Sequence, residues 1–324
     1  MRTRQAVLLM AVALGCTQAL GQGAANYPAK SVRFIVPQAT GGASDVLARI
    51  IAQRLTEQWA QQVIVDNRVG AGGNIGTEMT ARAAPDGYTW VLGFPGTHAI
   101  NPALYKNLSW DPEKNFAPVA NLAVVPYVIV ANNSLPAKNM QELMTLAKAK
   151  PGELRYGSGG NGTVNHLIGP MIATAGGVKL THVPYRGIAI ASTSVISGEV
   201  QLAFSSVPTV IGHIRGGLLK PLAVTTVKRL DTLKDVPTMI ESGFPGFELT
   251  PWFGILTTGG SPVPVVQKIN ADINKLLGQK DIAEKFAAQG ADPAPWSTDQ
   301  FAKVIRADIV KWTKVVKDSG ATLD

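Results

Sequence analysis

The chain has 324 residues, of which 30 are basic and 22 acidic, and it contains a single cysteine, Cys16. One cysteine excludes a disulfide framework and a thiolate metal site, so buried apolar cores must stabilise the fold. A chain of this length usually forms two domains. The basic residues are scattered rather than clustered, which argues against a nucleic-acid partner but leaves a mild positive potential that favours an anionic ligand.

The N-terminus is typical of a secretory signal peptide covering residues 1–21. Arg2 and Arg4 precede an apolar run at residues 6–14 that is too short to span a bilayer, and small residues suited to cleavage follow. Cleavage there leaves 28 basic and 22 acidic residues, a net charge of +6. We expect an exported, periplasmic protein. Lipid anchoring remains an alternative, because the sequence before Cys16 is close to an acylation site.

The first half of the chain contains a strand, glycine loop, helix, strand, helix, strand pattern. The glycine loop is at residues 40–44, and the amphipathic helix after it carries Leu47, Ile51 and Leu55 on one face. A turn at residues 85–87 precedes the last strand. The predicted strands are residues 32–36, 63–65 and 88–92.

A second segment repeats this order. Its glycine loop covers residues 157–162, and the helix after it has Leu167, Ile168 and Ile172 on its apolar side. Because parallel strands joined by helical crossovers form α/β layers, the duplication predicts two α/β lobes. The predicted strands are residues 154–156, 179–183 and 200–204.

Two amphipathic helices are predicted at the C-terminus. Their apolar positions lie at residues 265–277 and 301–316, and these positions are interpreted as core. Ser297 and Gln300 form a capping box at the start of the second helix. The Pro/Gly-rich residues 243–251 are interpreted as the return crossing between the lobes.

The glycine loops carry the strongest functional signal. In an open α/β sheet, ligands bind beyond the carboxyl ends of the strands, where the N–H groups and dipole of a helix N-terminus favour an anion. Two such lobes can place their loops on opposite sides of one cleft. Asp45, which follows the first loop, is interpreted as a helix N-terminal charge that holds the loop in place.

An enzymatic function is not supported by the motifs. Gly157, Gly159 and Gly162 fit the dinucleotide fingerprint, but that fingerprint needs an acidic residue about 20 positions further on. No Asp or Glu occurs between Glu153 and Glu199. No hydrolase, P-loop or metalloprotease motif is present, and the four histidines lack metal-ligand spacing. We therefore expect no catalytic residue, no metal and no cofactor.

A series of ordered landmarks across residues 27–320 is similar to that of a known receptor family. The chain resembles the extracytoplasmic substrate-binding receptors of tripartite tricarboxylate transporters, the Bug family. The resemblance implies a periplasmic-binding-protein (Venus-flytrap) fold, in which two α/β lobes with mostly parallel sheets are joined by crossing strands. It places residues 27–126 and 246–324 in lobe 1 and residues 127–245 in lobe 2. The landmarks include residues 35–37, 70–76, 85–88, 98–102, 160–163, 183–185 and 252–254.

The resemblance also implies a ligand and partners. Family members bind mono-, di- or tricarboxylates, including aromatic acids, and deliver them to the membrane permease subunits of the transporter. An alternative is that the receptor presents its ligand to a periplasmic sensor domain. We expect a monomer without a nucleic-acid partner. Carried onto this chain, the ligand-binding residues are Gln38, Ala39, Thr40, Gly41, Gly42, Thr97, Ser158, Gly160, Asn161, Gly162, Thr163, His166, Tyr185, Arg186, Ser205 and Ser206.

Several positions depart from the family pattern. The family usually has an aromatic residue where Gln38 stands and Ala where Thr40 stands, and acidic residues are common at the positions of Ser194 and Gln201. Fewer acids weaken the case for recognition of an amino group, so a plain mono- or dicarboxylate is favoured over an amino acid. The hydroxyl of Thr163 is predicted to donate to the ligand.

Overall fold

The computed structural model describes residues 26–38, 40, 41 and 43–319. The predicted signal peptide, Cys16 and the predicted ligand residues Ala39 and Gly42 lie outside the described residues. The strands form two sheets. They are β1 (Val32–Val36), β2 (Val63–Asn67), β3 (Thr89–Gly93), β4 (Phe116–Val124), β5 (Tyr127–Ala131), β6 (Arg155–Ser158), β7 (Thr181–Pro184), β8 (Leu202–Ser206), β9 (Lys220–Val224), β10 (Trp252–Thr258) and β11 (Asp292–Pro293).

Helices connect and cover these strands. Within the described part of the chain, no helix is long and apolar enough to cross a membrane. A π-helix at Gly96–Ile100 and 3₁₀ turns at Ala71–Gly73 and Asp231–Leu233 complete the elements. The α-helices are α1 (Ala43–Trp59), α2 (Asn74–Ala81), α3 (Asn101–Leu104), α4 (Met140–Ala149), α5 (Val164–Gly176), α6 (Ile188–Ser197), α7 (Val207–Arg215), α8 (Val263–Leu277), α9 (Lys280–Ala288) and α10 (Thr298–Ser319).

The duplicated unit predicted from the sequence is confirmed. In the first sheet β1 lies between β2 and β3 and pairs with both in parallel. In the second sheet β6 lies between β7 and β8 and again pairs with both in parallel. Four of the five residues of β1 are buried, as expected for a parallel strand covered on both faces. Leu47, Ile51 and Leu55 of α1 are fully buried in the adjoining core.

The sheets are mixed rather than mostly parallel. The order of the first is β11-β4-β10-β3-β1-β2, and that of the second is β7-β6-β8-β5-β9. The strands β4, β5 and β10 pair antiparallel with their neighbours, because they carry the chain from one lobe to the other and back. The two crossings run side by side, and the Val125 N–H donates to the Pro251 carbonyl over 2.7 Å.

The C-terminal helix α10 packs against both sheets. Phe301 and Ile305 lie in a small core with Trp252 of β10, and the Gln300 N–H donates to the Ser297 hydroxyl over 3.2 Å, as the capping box predicts. Trp312, further along the helix, is fully buried in the core that covers the second sheet. The division of the chain into lobes remains a prediction, and α10 connects the two cores.

Candidate ligand-binding cleft

A cavity of about 150 Å³ lies where the carboxyl-terminal edges of the two sheets meet. The first sheet contributes segments near β1, β3 and α3, the second contributes the start of β5 and the start of α5, and the return crossing closes one side. The lining residues are Gln38, Gly72, Phe94, Pro95, Gly96, Asn101, Tyr105, Tyr127, Asn161, Gly162, Thr163, Val164, Asn165, Pro251, Trp252 and Phe253.

The second glycine loop brings a helix N-terminus to this cavity. Gly162 has a φ of +75°, which glycine adopts without a steric penalty, and α5 starts two residues later. The N–H groups of the first helical turn have no intrahelical acceptor, so those of Val164 and Asn165 are available to an anion. The Gly162 N–H is not available, because it donates to Nδ1 of His166 over 3.1 Å.

Thr163 is the N-cap of α5. Its hydroxyl accepts the His166 N–H over 3.3 Å and donates to the Gly160 carbonyl over 2.8 Å. A hydroxyl has one proton, so Thr163 has none left for a ligand. In this arrangement Thr163 lines the cavity and holds the loop by capping the helix, and its contact with the ligand stays a prediction.

The first glycine loop is held by a buried carboxylate. Oδ2 of Asp45, which is 2% exposed, accepts the Gly41 N–H over 2.9 Å and the Arg49 Nε–H over 3.0 Å. Nδ2 of Asn67 donates to Oδ1 of Asp45 and to the carbonyl of Gln38, each over 3.0 Å. Burial alone would raise the pKa of Asp45, but these donors outweigh it and hold the pKa below its usual range. The interpretation of Asp45 as a loop-fixing charge fits this geometry.

A third glycine segment borders the cavity at residues 70–73. Gly70, Ala71, Gly72 and Gly73 all have positive φ, and the Gly73 N–H closes the turn on the Gly70 carbonyl over 2.9 Å. Because Gly72 has no side chain, the side chains of Asn101 and Tyr105 approach its backbone closely. The Asn101 amide donates to the Gly72 carbonyl over 3.1 Å, which fixes this edge of the cavity.

Aromatic rings form the apolar side of the cavity. Phe94 and Phe253 meet edge to face, with ring centroids 6.1 Å apart. The Trp252 ring is fixed in orientation by a hydrogen bond, since its Nε1–H donates to Oδ2 of Asp308 on α10 over 2.8 Å. Burial raises the pKa of Asp308 more than this hydrogen bond and Lys311 lower it. Such rings suit a hydrocarbon chain or an aromatic ring between polar ends.

The polar groups that line the cavity are uncharged. Among the described residues that line it, none carries a carboxylate, an ammonium or a guanidinium group. Burial raises the pKa of Tyr105, and burial raises the pKa of Tyr127 more than its contact with Asn165 lowers it. Both phenols therefore stay protonated at neutral pH and can donate hydrogen bonds. The cavity can bind an anion through neutral donors and a helix N-terminus.

The structure brings part of the predicted site together. Gln38, Asn161, Gly162 and Thr163 line the cavity. Six other predicted residues do not line the cavity. The exposed ones are Thr40, Gly41 and Arg186, and the partly buried ones are Gly160, Tyr185 and His166. They belong to the loops around the cleft rather than to the cavity surface in this conformation.

Four predicted hydroxyls are engaged inside the protein. Thr97 is fully buried, and its hydroxyl lies 2.8 Å from Nδ1 of His98. Ser158 is fully buried and bonds to His182 over 2.6 Å. Each of these hydroxyls has a protein partner in the structure, and its contact with a ligand stays a prediction. The remaining two predicted hydroxyls are also hydrogen-bonded within the protein, Ser205 to Ser192 over 2.9 Å and Ser206 to Thr209 over 2.8 Å.

Sequence reasoning missed the residues that lie outside the glycine loops. Tyr105 and Tyr127 follow no motif, and sequence alone offers no signal for either. Asn101, Gly72 and Phe253 fall within the family landmarks at residues 98–102, 70–76 and 252–254. Those landmarks could have been used as site predictions as well as evidence of family.

Comparison with known proteins agrees with the periplasmic-binding-protein-like fold. Residues 47–321 match the tripartite tricarboxylate transporter family receptor, TctC. Protein BugT of Bordetella pertussis is 35% identical over 299 residues, 92% of each protein. The structure of R. palustris Rpa4515 with adipate is 36% identical, with a TM-score of 0.83 over 92% of this chain and 100% of that one. MatC from Rhodopseudomonas palustris with bound malate is 30% identical, with a TM-score of 0.78 over 90% of this chain and 100% of that one.

The chain belongs to the tripartite tricarboxylate transporter family receptors, the group that includes the Bug proteins. These are substrate-binding receptors and not enzymes. The Bug-family resemblance and the two-lobed α/β fold expected from the sequence are therefore confirmed.

Proposed function

We propose that this receptor acts in the periplasm, where it binds a small carboxylate in the inter-lobe cleft and delivers it to the membrane permease subunits of a tripartite tricarboxylate transporter. One observation carries the proposal. The cavity is bordered by the N-terminus of α5 and by neutral hydroxyl and amide side chains, so it offers donors to an anion. Two relatives solved with adipate and with malate support a dicarboxylate as the ligand.

The lining favours a plain dicarboxylate. The ammonium group of an amino acid is bound best beside a carboxylate that balances its charge, and none of the described lining residues is Asp or Glu. Phe94, Trp252 and Phe253 offer apolar contact for methylene groups, while Tyr105 and Tyr127 lie on different lobes and can each donate to an end of the ligand. A chain of four to six carbons, as in malate and adipate, is the class that we propose.

Binding is tested by calorimetry with the mature protein and a panel of C4 to C6 dicarboxylates, citrate, benzoate and aspartate. We expect a dicarboxylate to bind most tightly and aspartate to bind weakly. Tyr105→Phe and Tyr127→Phe each remove one hydroxyl, and each should weaken binding about three- to tenfold. A panel without binding, from folded protein freed of carried-over ligand, contradicts the proposed ligand class.

Delivery is tested by crosslinking in membranes that contain the candidate permease subunits. We expect ligand-dependent crosslinks to the permease. Crosslinks to a periplasmic sensor domain in place of the permease would instead assign a signalling role. Fractionation and mass spectrometry of the exported protein show whether the signal peptide is removed after residue 21 or the chain is acylated at Cys16.

A further inference from the structure

The Gly162 amide is held by an imidazole. Since its N–H donates to Nδ1 of His166, Nδ1 must be unprotonated and the ring proton must be on Nε2. His166 is the third residue of α5, and its own backbone N–H is capped by Thr163. The imidazole therefore ties the second glycine loop to the helix turn that borders the cavity.

A second imidazole holds His166 in this orientation. The rings of His166 and His182 stack with centroids 4.1 Å apart and planes at 24°. His182 lies on β7, and its Nε2 shares a hydrogen bond of 2.6 Å with the Ser158 hydroxyl at the end of β6. That hydroxyl accepts the Gly160 N–H over 3.1 Å. Both histidines thus connect to the same loop.

We propose that His166 and His182 are positioning residues: as stacked, neutral imidazoles they hold residues 160–163 in place. The cleft then binds its carboxylate with full affinity only while His166 is uncharged. Neither histidine lines the cavity, so both act through the loop. When Nδ1 of His166 is protonated it can no longer accept the Gly162 N–H. Two donors then face each other, the hydrogen bond is lost, and the loop is released. The inference rests on the proposed carboxylate function.

The surroundings favour uncharged rings. Burial lowers the pKa of His166, and burial together with repulsion from His166 in its protonated form lowers the pKa of His182 to about 4. The positive end of the α5 dipole acts in the same direction on His166. Among the described residues, Tyr156 of β6 is a titratable group in contact with the pair: its ring lies 5.0 Å from that of His182, and its hydroxyl donates to the His166 carbonyl over 2.9 Å. Lys179 and Asp318 line the surface groove next to Tyr156.

Two variants at one position test the proposal by adipate calorimetry between about pH 7.5 and 4.5. His166→Asn keeps an acceptor oxygen near the place of Nδ1 but does not titrate, whereas His166→Ala leaves the Gly162 N–H unpaired. At neutral pH we expect His166→Asn to bind within about threefold of the wild type and His166→Ala about tenfold more weakly.

The pH dependence of adipate affinity shows whether His166 positions the loop through its hydrogen bond or only packs against it. Dividing the Kd of His166→Asn by that of the wild type at the same pH cancels the protonation of adipate itself. This ratio should fall as the pH is lowered, because only the wild type loses its acceptor. A ratio that is constant with pH, or wild-type affinity in His166→Ala, overturns the proposal.

NMR of the ligand-free protein distinguishes failure of this inference from failure of the proposed function. At neutral pH the ¹⁵N shift of His166 Nδ1 should be that of an unprotonated nitrogen, with a coupling across the hydrogen bond to the Gly162 amide. The Gly162 signal should then follow the titration of His166. If these NMR signals are seen but adipate does not bind, only the proposed ligand class is contradicted. If Nδ1 is protonated at neutral pH, the inference itself is overturned.

Discussion

The two glycine loops share a geometry and differ in chemistry. In each, the third residue of the following helix reaches back four residues and accepts a backbone N–H. Asp45 accepts from Gly41 over 2.9 Å in the first loop, and His166 accepts from Gly162 over 3.1 Å in the second. The acceptor is a carboxylate in one lobe and an imidazole in the other.

This difference gives the two helix ends different roles. Asp45 places a negative charge at the N-terminus of α1 and offsets the dipole of that helix. His166 as a neutral ring adds no charge, so the N-terminus of α5 keeps its attraction for an external anion. We infer that a carboxylate is drawn to the second loop, while the first loop forms a fixed surface opposite to it.

Removing the first acceptor has the largest expected effect on stability. Asp45→Ala leaves the Gly41 N–H, Asn67 and Arg49 without their common acceptor, and the free energy of unfolding should fall by about 3 kcal/mol. Asp45→Asn keeps an acceptor oxygen and should cost less. Urea denaturation measures both. A loss under about 1 kcal/mol in the alanine variant would show that the loop does not depend on this carboxylate.

Asp45 and the buried histidines should lose their stabilising protonation states in different pH ranges. The pKa of Asp45 is lowered on folding, so its contribution is present above the unfolded value of about 3.9 and is lost as the pH falls through the lower folded pKa. A histidine whose pKa is lowered on folding costs stability progressively as the pH falls from its unfolded value of about 6.5 to its folded pKa, which is about 4 for His182 and about 3 for His98.

Between about pH 6.5 and 4, stability should therefore fall while the first loop keeps its acceptor. His98, which is fully buried, should account for a loss of about 1.4 kcal/mol in the free energy of unfolding for each pH unit of acidification. Urea denaturation at several pH values measures the slope, and His182→Phe should flatten it by removing one titrating ring. Stability that does not change over this range would contradict the assignment of neutral buried histidines.

Copying the first acceptor into the second loop tests the charge argument. His166→Asp places a carboxylate at the equivalent helix position, where it can accept the Gly162 N–H as Asp45 does in the first loop. Folding stability should change little, but affinity for adipate should fall roughly tenfold through like-charge repulsion. Calorimetry against the uncharged His166→Asn control measures the difference. Equal affinities of the two variants would place the ligand carboxylate away from α5.

The helix cap gives the smallest expected effect. Thr163→Ala removes the acceptor for the His166 N–H, and unfolding free energy should fall by about 1 kcal/mol. Thr163→Ser keeps the cap and serves as the control. Because the hydroxyl proton goes to Gly160, affinity should fall only as far as the loop loosens. A large affinity loss at unchanged stability would mean that Thr163 contacts the ligand after all.

Local patterns predicted most of the fold. The alternation of apolar strands, glycine loops and amphipathic helices located β1 at residues 32–36 and placed the other strands of both units within about two residues of their observed bounds. These patterns are local because periodic burial and helix caps involve neighbours in sequence. The antiparallel pairing of β10 was not predictable in this way, since it depends on where the chain returns after crossing lobes.

The site was predicted less completely than the fold. Asn161, Gly162 and Thr163 line the cavity because a strand-to-helix turn places them at the sheet edge. Thr97, Ser158 and other predicted hydroxyls point inward instead. Whether a serine or threonine side chain faces a cleft or a buried partner depends on which rotamer finds an acceptor, and no sequence pattern determines this.

By itself, the sequence determined the duplicated α/β unit, the family and the glycine loops that begin two helices, because these depend on composition and spacing along the chain. The tertiary structure decided that Tyr105, Tyr127 and Phe253 meet at one cavity, and that His166 stacks on His182. The physical reason is that these residues are far apart in sequence, and the sheet order and the two inter-lobe crossings bring them together.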